Sequence, residues 1–388
     1  MPARRNIFAY VGSWDVYKSR SDNGVGIFRY NATNGELEPI KCVFPEISVG
    51  ATCLDSKRNI LYCTNETATL PGYFLGGGGQ VYAFAIAPET GDLTEINHQP
   101  SYGTLPSHVA MDATSKYLIA THHTTRVPIT KVVKDASGKY RIALEYDDAT
   151  TVLFPLNEDG SIGDPRDIYK HSGNGGPLRR QTHPQLHSVM ASPSGKLFAV
   201  CDKGNDEILL FRISRKTEQL EVCGGKGVKT IPGGSPRYSA FHPTRPYLFV
   251  NYETKTVVGS FRYDEDGLLT PICTVNVLPE NREADPSMQQ SDIRIRPSGS
   301  HLYSMIRGID AVSVFAVDEE TGGIQRIQTV TLEGTGPRGC AISPDGRFMY
   351  IAALTSNEVL VWAIGEDGSL FPTGKKISHP NAGSVTFC

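Results

Sequence analysis

The chain has 388 residues, a formal net charge of −3, and 39% hydrophobic against 20% charged residues. That balance carries no electrostatic bias toward nucleic acid or an anionic membrane, and no apolar run reaches the roughly 18 residues that would span a bilayer. With 39 Gly and 25 Pro, short turns between strands are expected rather than long helices.

The opening Met-Pro-Ala-Arg-Arg-Asn leads straight into the strand-like Ile7 to Val11. It is basic, but no apolar stretch of signal-peptide length follows, so no leader is expected. One strand-rich unit then recurs. A partial first copy holds Phe8 to Val11, Gly26 to Tyr30 and Asn34-Gly35. The second runs from Leu54-Asp55 through Ile60 to Cys63, then Val81 to Ile86 and Thr90-Gly91. The third has Met111-Asp112, Tyr117 to Ala120 and, much later, Val152 to Leu156 with Asp159-Gly160. In the fourth, Ala191-Ser-Pro-Ser-Gly195 precedes Leu197 to Val200 and Ile208 to Ile213. The fifth has Phe241-His-Pro-Thr-Arg245, Tyr247 to Val250, Val257 to Tyr263 and Asp266-Gly267. The sixth has Ile295-Arg-Pro-Ser-Gly299, Leu302-Tyr303, Val312 to Val317 and Thr321-Gly322. The seventh is the clearest: Ile342-Ser-Pro-Asp-Gly346, then strands through Trp362 and a turn at Asp367-Gly368.

Turn chemistry sets each break, because Pro presets φ and Gly supplies φ > 0. Between breaks lie short runs of β-branched and aromatic residues. Four short strands at a period of about 45 to 55 residues predict an all-β fold, a seven-bladed β-propeller of four-stranded antiparallel blades, as a single domain over 1–388. A blade cannot bury both faces alone, so the ring must close. Gly383 to Phe387 is the expected closing strand, beside the N-terminal strands. Two insertions break the rhythm, Leu70 to Gly79 and Thr124 to Asp147, and are expected as surface loops or as a rim over the channel mouth.

The eight cysteines are scattered, and Cys53, Cys63, Cys201 and Cys340 fall in strand-like runs. None forms a CxxC pair. They are read as reduced small apolar side chains, which points to a cytoplasmic location. No GxSxG elbow, P-loop or HExxH occurs, and no cofactor is expected. Calcium could use scattered oxygens such as Glu66, Asn251 and Asp202, but their spacing does not favour a metal.

Within a blade, let strands a to d run from the channel outward. The start of strand a and the end of strand b then lie side by side at one mouth. The starts of strand a read Pro106-Ser-His108, His183-Pro-Gln-Leu-His187, Pro236-Arg237-Tyr238, Gln290-Ser291-Asp292 and Pro337-Arg338-Gly339. The ends of strand b read Asn65-Glu66, His122-His123, Asp202-Lys203, Asn251-Tyr-Glu253 and Ile306-Arg307-Gly308. Imidazoles, guanidinia and carboxylates converge there, as in a pocket that binds a small anion beside an acid or base. Arg237, Arg338 and Glu253 could equally be structural ion pairs, and His183 could merely brace its turn. His187 is expected to line the pocket, with His108, Ser291 and Arg307 in its wall. His242, at the far turn, is read as structural.

The elements Thr-His-Pro-Gln-Leu-His187, Ser-Pro-Arg237-Tyr, Ser291-Asp-Ile-Arg, Gly-Pro-Arg338-Gly and Asn251-Tyr-Glu253 resemble the seven-bladed lactonase family, as does Tyr10-Val-Gly-Ser13 followed by Gly26-Ile-Phe-Arg-Tyr30. That family includes the propeller type of 6-phosphogluconolactonase and the fungal 3-carboxy-cis,cis-muconate lactonising enzyme. The resemblance, through its muconate-lactonising branch, implies a catalytic set of His187, Arg237, Glu253 and Arg307. His108, His183, Ser291, Arg338 and Glu66 are expected on the substrate from their places at the mouth. Met305-Ile-Arg307 and Thr121-His-His depart from the family's usual Ser-Asn-Arg and Ala-Asn-Tyr. The implied reaction is hydrolysis of a lactone such as 6-phosphogluconolactone, with His187 or Glu253 as base and an Arg on the oxyanion. A carboxymuconate-lactonising cycloisomerase, in which Arg237 and Arg307 clamp carboxylates while His187 or Glu253 donates a proton, or a related specialised cyclase or isomerase is the alternative. A protein-binding propeller without catalysis is the rival from another class.

Overall fold

The computed structural model describes residues 7–16, 24–176 and 181–388. The basic stretch 1–6, expected to carry no leader, therefore lies outside the described residues.

Seven antiparallel sheets form the blades of a propeller. From strand a outward, blade 2 comprises Val49–Asp55, Ile60–Asn65, Gln80–Ile86 and Leu93–Pro100. Blade 3 comprises Pro106–Met111, Tyr117–His122, Thr150–Pro155 and Asp167–Lys170. Blade 4 uses Leu186–Ala191, Phe198–Asp202, Glu207–Ile213 and Leu220–Val222, and Val228–Lys229 also pairs its strand c. Blade 5 uses Pro236–Phe241, Tyr247–Tyr252, Val257–Tyr263 and Leu269–Asn276; blade 6, Gln289–Ile295, His301–Arg307, Ala311–Val317 and Ile324–Thr331. Blade 7 uses Pro337–Ile342, Phe348–Ala353, Glu358–Ile364 and Leu370–Ser378.

Blade 1 is shared between the chain ends. Ala382–Phe387 supplies strand a, and Phe8–Ser13, Val25–Asn31 and Glu36–Val43 supply b, c and d. Tyr10 pairs with Thr386 and Val11 with Val385, as the closing-strand reading expects. The partial first copy in the sequence is thus a blade lacking its inner strand.

The apolar core lies between the blades rather than at the axis. Seven clusters of buried side chains each join two successive blades, such as Tyr62, Phe154 and Val109 between blades 2 and 3. A tyrosine of strand b pins one blade to the next. The hydroxyls of Tyr10, Tyr62, Tyr303 and Tyr350 donate to the carbonyls of Gly91, Gly160, Gly368 and Gly35, in the c–d turn of the following blade. Each such bond contributes about 1 kcal/mol. At Gly160, φ is +82° and a Cβ would lie 1.9 Å from Ile60 Cδ1, so the turn glycine of the repeat serves the blade interface as well as the turn.

The Thr124 to Asp147 insertion is not an irregular loop. It forms a two-stranded hairpin, Ile129–Lys134 with Tyr140–Glu145, which pairs only with itself among the described strands. The Leu70 to Gly79 insertion exposes Tyr73, Phe74 and Leu75. Among the described residues no helix is long and apolar enough to cross a membrane, and all eight cysteines are free thiols.

Candidate active site

The a–b ladder slips its register at the same mouth in every blade: at Gly12/Ser13, Val49/Thr52, Pro106/His108, Leu186/Ser188, Pro236/Ser239, Gln290/Ile293 and Pro337/Gly339. A bulge inserts a residue without a ladder partner and re-aims its side chain. The residues inside these slips include His187, Arg237, Ser291 and Arg338. The pattern has a local cause. Asn65 Oδ1 accepts from Ser48 N, Asp202 Oδ1 from Gln185 N, and Asn251 Oδ1 from Tyr238 N, at 2.9 Å each. These strand-b side chains occupy backbone donors that the slipped ladder leaves over. The same oxygens of Asp202 and Asn251, considered as calcium ligands from sequence, are thus engaged as backbone caps. Among the described residues no group of three or more His, Cys, Asp or Glu is placed to hold a metal ion.

Glu253 is the hub. Its Oε2 lies 2.6 Å from Lys203 Nζ, 3.0 Å from Arg237 Nε and 4.0 Å from Arg307 Nη2. Lys203, Arg237 and Glu253 are 4, 3 and 5% exposed, whereas the Arg307 side chain keeps 30%. Burial alone would raise the Glu253 carboxyl, but Lys203, Arg237 and Arg307 outweigh it and hold the group well below the usual carboxylate range. Burial, with Arg237 and Arg126, pushes Lys203 down to about 7 against the pull of Glu253. One carboxylate thus faces three basic side chains, leaving the cluster with surplus positive charge at neutral pH.

His187 stands beside this cluster, its ring centroid 5.4 Å from His123 and 5.2 Å from Tyr238. Its Nδ1 is buried without a hydrogen-bond partner. Burial, then Arg237 and Lys203, depress its pKa well below the ordinary imidazole value, so the ring is neutral at neutral pH. Arg237 also donates from Nη1 to the Ser291 carbonyl and lies 5.1 Å from the Tyr238 ring.

A second pair closes the other side. Arg338 Nη2 is 3.3 Å from Glu66 Oε2, which also accepts from Trp14 Nε1 at 2.7 Å. Burial raises the Glu66 carboxyl despite Arg338. The charges of Arg237 and Lys203 act on Glu66, and that of Arg338 acts on His187. Both clusters therefore share one mouth.

The catalytic quartet expected from sequence is brought together: Arg237 and Arg307 on Glu253, with His187 beside Arg237. Arg338 and Glu66 join as neighbours. Three expected substrate contacts are placed differently. His183 stacks on Tyr146 at 4.0 Å, with Nε2 on Thr124 Oγ1 and Thr125 O and Nδ1 on Thr182 Oγ1. It anchors the foot of the insertion. The Ser291 hydroxyl donates to the Pro337 carbonyl at 2.6 Å and ties blade 6 to blade 7. His108 packs edge-on against Tyr238 and lines a cavity of about 460 Å³ toward the opposite mouth. His242 is structural as expected, its Nδ1 accepting from Thr244 N and Arg245 N.

Residues 8–387 match the family model described as lactonase, 7-bladed beta-propeller. The chain belongs to the seven-bladed β-propeller lactonase family. The lactonase is 26% identical to the 6-phosphogluconolactonase of Bacillus subtilis over 376 residues, 96% of this chain and 97% of that one. It is 25% identical to the 6-phosphogluconolactonase of Formosa agariphila over 356 residues, 91% of each. The solved periplasmic gluconolactonase of Pseudomonas aeruginosa superposes with a TM-score of 0.84 at 20% identity, over 98% of the lactonase and 99% of that chain. At that identity the likeness speaks to the fold.

Sequence reasoning placed Lys203 and His123 at the mouth without assigning either a role, and it passed over Trp14. Lys203 appears in the row of strand-b ends, but an isolated lysine ordinarily reads as solvated. Its signal was position, since it is adjacent to the buried cap Asp202 and opens the same mouth as Glu253.

Proposed function

We propose that the lactonase hydrolyses the lactone ring of a small anionic sugar acid, of which 6-phosphogluconolactone is the leading substrate. The reaction class, lactone-ring hydrolysis, follows from the family. The observation that carries the substrate reading is the excess of Lys203, Arg237 and Arg307 over the lone Glu253, with Arg126 acting on Lys203 and His123 from the insertion's foot. Such a site attracts a phosphate or carboxylate. The two curated relatives named above both carry the 6-phosphogluconolactonase name.

Hydrolysis requires water to attack the ring carbonyl, charge to be stabilised on the carbonyl oxygen, and a proton to reach the departing ring oxygen. Arg307, the most open of the cations, takes the substrate anion. Arg237 is fixed by Glu253 and Ser291 and faces the developing oxyanion. Neutral His187, with Nδ1 unspent, orients the water. Glu253 is held ionised, so it serves as a positioning residue for three basic side chains and is poorly suited to donate a proton. That disfavours its role as acid in ring closure. A propeller that only binds proteins has no need of this buried ionic cluster. The eight free thiols fit a reducing, cytoplasmic compartment.

The deciding assay offers the purified chain 6-phosphogluconolactone, unphosphorylated gluconolactone and carboxymuconate in parallel, with uncatalysed lactone opening subtracted. The phosphorylated lactone should open fastest. A folded chain that opens no lactone, or that turns over carboxymuconate alone, would overturn the proposal.

A further inference from the structure

Lys203 directly follows strand b of blade 4, nearly out of contact with water, and its amine touches two acceptors. Nζ is 2.6 Å from Glu253 Oε2 and 3.2 Å from His123 Nε2. His123 Nδ1 lies 3.2 Å from the Thr124 carbonyl, which can only accept. The imidazole therefore carries its proton on Nδ1 and presents a lone pair on Nε2 to the lysine. This arrangement consumes two of the three tetrahedral positions on Nζ. The third holds either a lone pair or a proton, and no residue of the described chain hydrogen-bonds there. A buried amine whose third position is free, set beside the cation cluster of a hydrolase, is placed to exchange a proton.

We propose that Lys203 is the proton-transfer group of the reaction, held by Glu253 and His123, and that it carries a proton from the attacking water to the departing ring oxygen. This rests on the lactone-hydrolysis reading. In the first half-step the neutral amine takes a proton from water as its oxygen bonds to the carbonyl carbon, giving a tetrahedral oxyanion and an ammonium. In the second, the oxyanion collapses, the bond between the acyl carbon and the ring oxygen breaks, and the ammonium protonates the departing alkoxide. Lys203 returns to the amine, and the product is a hydroxy acid that ionises to solvent. No oxidant, reductant or further reactant enters.

Glu253 and Arg237 act on the amine from blade 5 and Arg126 from the insertion's foot. Arg307 reaches the same Glu253 carboxylate from blade 6, and the charge of Lys203 acts in turn on His123, His187 and Glu66. Glu253 favours the ammonium, while burial, Arg237 and Arg126 favour the amine, and the balance falls near neutrality. A lysine left in water would be almost wholly protonated at that pH.

The test is turnover of 6-phosphogluconolactone across pH in the full-length chain, its Lys203→Arg and Lys203→Met variants, and Lys203→Ala with added methylamine or ethylamine. In the parent, kcat/KM should rise with pH through an inflection near 7. Arg keeps the charge beside Glu253 but cannot release a proton, so Lys203→Arg should lose about 10²–10³-fold in kcat, as should Lys203→Met, with KM changed only a few-fold. Both should lose the acidic limb. Added amines should restore hydroxy-acid formation to Lys203→Ala beyond the direct aminolysis they cause without protein. Lys203→Arg with kcat within about threefold of the parent would overturn the proposal, as would an unchanged acidic limb in Lys203→Met. If the Met and Ala variants fail to fold, Lys203→Arg decides; if it fails too, a parent profile without a limb near 7 overturns the role. A parent chain that opens no lactone instead overturns the lactonase reading itself, so the two failures are distinguishable.

Discussion

Glu66 of blade 2 and Arg338 of blade 7 meet at 3.3 Å although 272 residues separate them. Blade 1 lies between, and it contributes Trp14, whose Nε1 donates to Glu66 and whose indole lies 4.1 Å from the Arg338 guanidinium. Three blades are thereby tied at the place where the ring is closed by the two chain ends. Removing one partner of a buried ion pair leaves the other charge uncompensated, at about 3–5 kcal/mol. Glu66→Gln should lower unfolding free energy by that order in urea titrations, whereas Glu66→Leu combined with Arg338→Met should recover most of it. A loss in the double variant equal to the sum of the two single losses would mean that the pair does not act as a unit.

The acid sensitivity of the fold should have a traceable component. Glu253 binds its proton less readily in the native chain than in the unfolded one, whose carboxyl titrates at the ordinary value of 4.5. Below about that pH the unfolded chain takes up more protons, so the stability due to Glu253 is fully present above it and is lost as pH falls. Glu66 works in the opposite sense, since burial raises its pKa. Glu253→Gln should therefore flatten the fall in unfolding free energy measured from about pH 6 to 3, while a curve parallel to the parent's would remove the assignment.

Arg307 should matter for binding more than for folding. Its side chain is the most open member of the Glu253 cluster, and charge-assisted hydrogen bonds to an anion contribute about 1.5–3 kcal/mol. Arg307→Ala should lower kcat/KM for the phosphorylated lactone by about 10- to 100-fold, with a melting temperature close to the parent's. The loss should shrink for an uncharged lactone. An equal loss on both substrates would place Arg307 on the reacting carbonyl instead.

The turn glycines divide into two kinds. At Gly160 a Cβ would meet Ile60 Cδ1 at 1.9 Å, while at Gly72, with φ +88°, nothing lies within 4 Å. Gly72→Ala should therefore cost only the backbone strain of positive φ, about 1–2 kcal/mol. Gly160→Ala should add overpacking and cost about 1–3 kcal/mol more. Thermal unfolding of the two variants side by side checks the difference.

The fold was legible because turn chemistry is local: Ser343-Pro-Asp-Gly346 and its counterparts state where each a–b turn lies, and the copies give the blade count. The site was legible in part, for the same reason. Knowing which ends of strands a and b share a mouth selected His187, Arg237, Glu253, Arg307, Arg338 and Glu66. What failed was direction. His183 precedes a suitable strand, Leu186–Ala191, but is claimed by Tyr146, Thr124 and Thr125, which belong to an insertion whose path no local pattern specifies. Ser291 stands in the right row, yet its hydroxyl reaches a neighbouring blade's carbonyl. His108 is one step further along its strand and so looks toward the opposite mouth. Lys203 was hidden because burial of a lysine depends on partners from blades 3 and 5, which sequence adjacency does not reveal.

The slipped ladders at the mouth have a consequence for how this protein can change. Along a regular strand, altering one residue's direction would flip its neighbours between channel and blade interface. Here the irregularity comes before the strand settles into alternation, so residues at the mouth can be exchanged without disturbing the apolar pattern downstream. The Pro-x-Gly turns and tyrosine clamps that hold the ring stand at the other end of the same strands. The apolar alternation is thus insulated from the mouth, and substrate preference can change there as long as the ties that also stand at the mouth, Glu66 with Arg338 and Ser291 with Pro337, are kept.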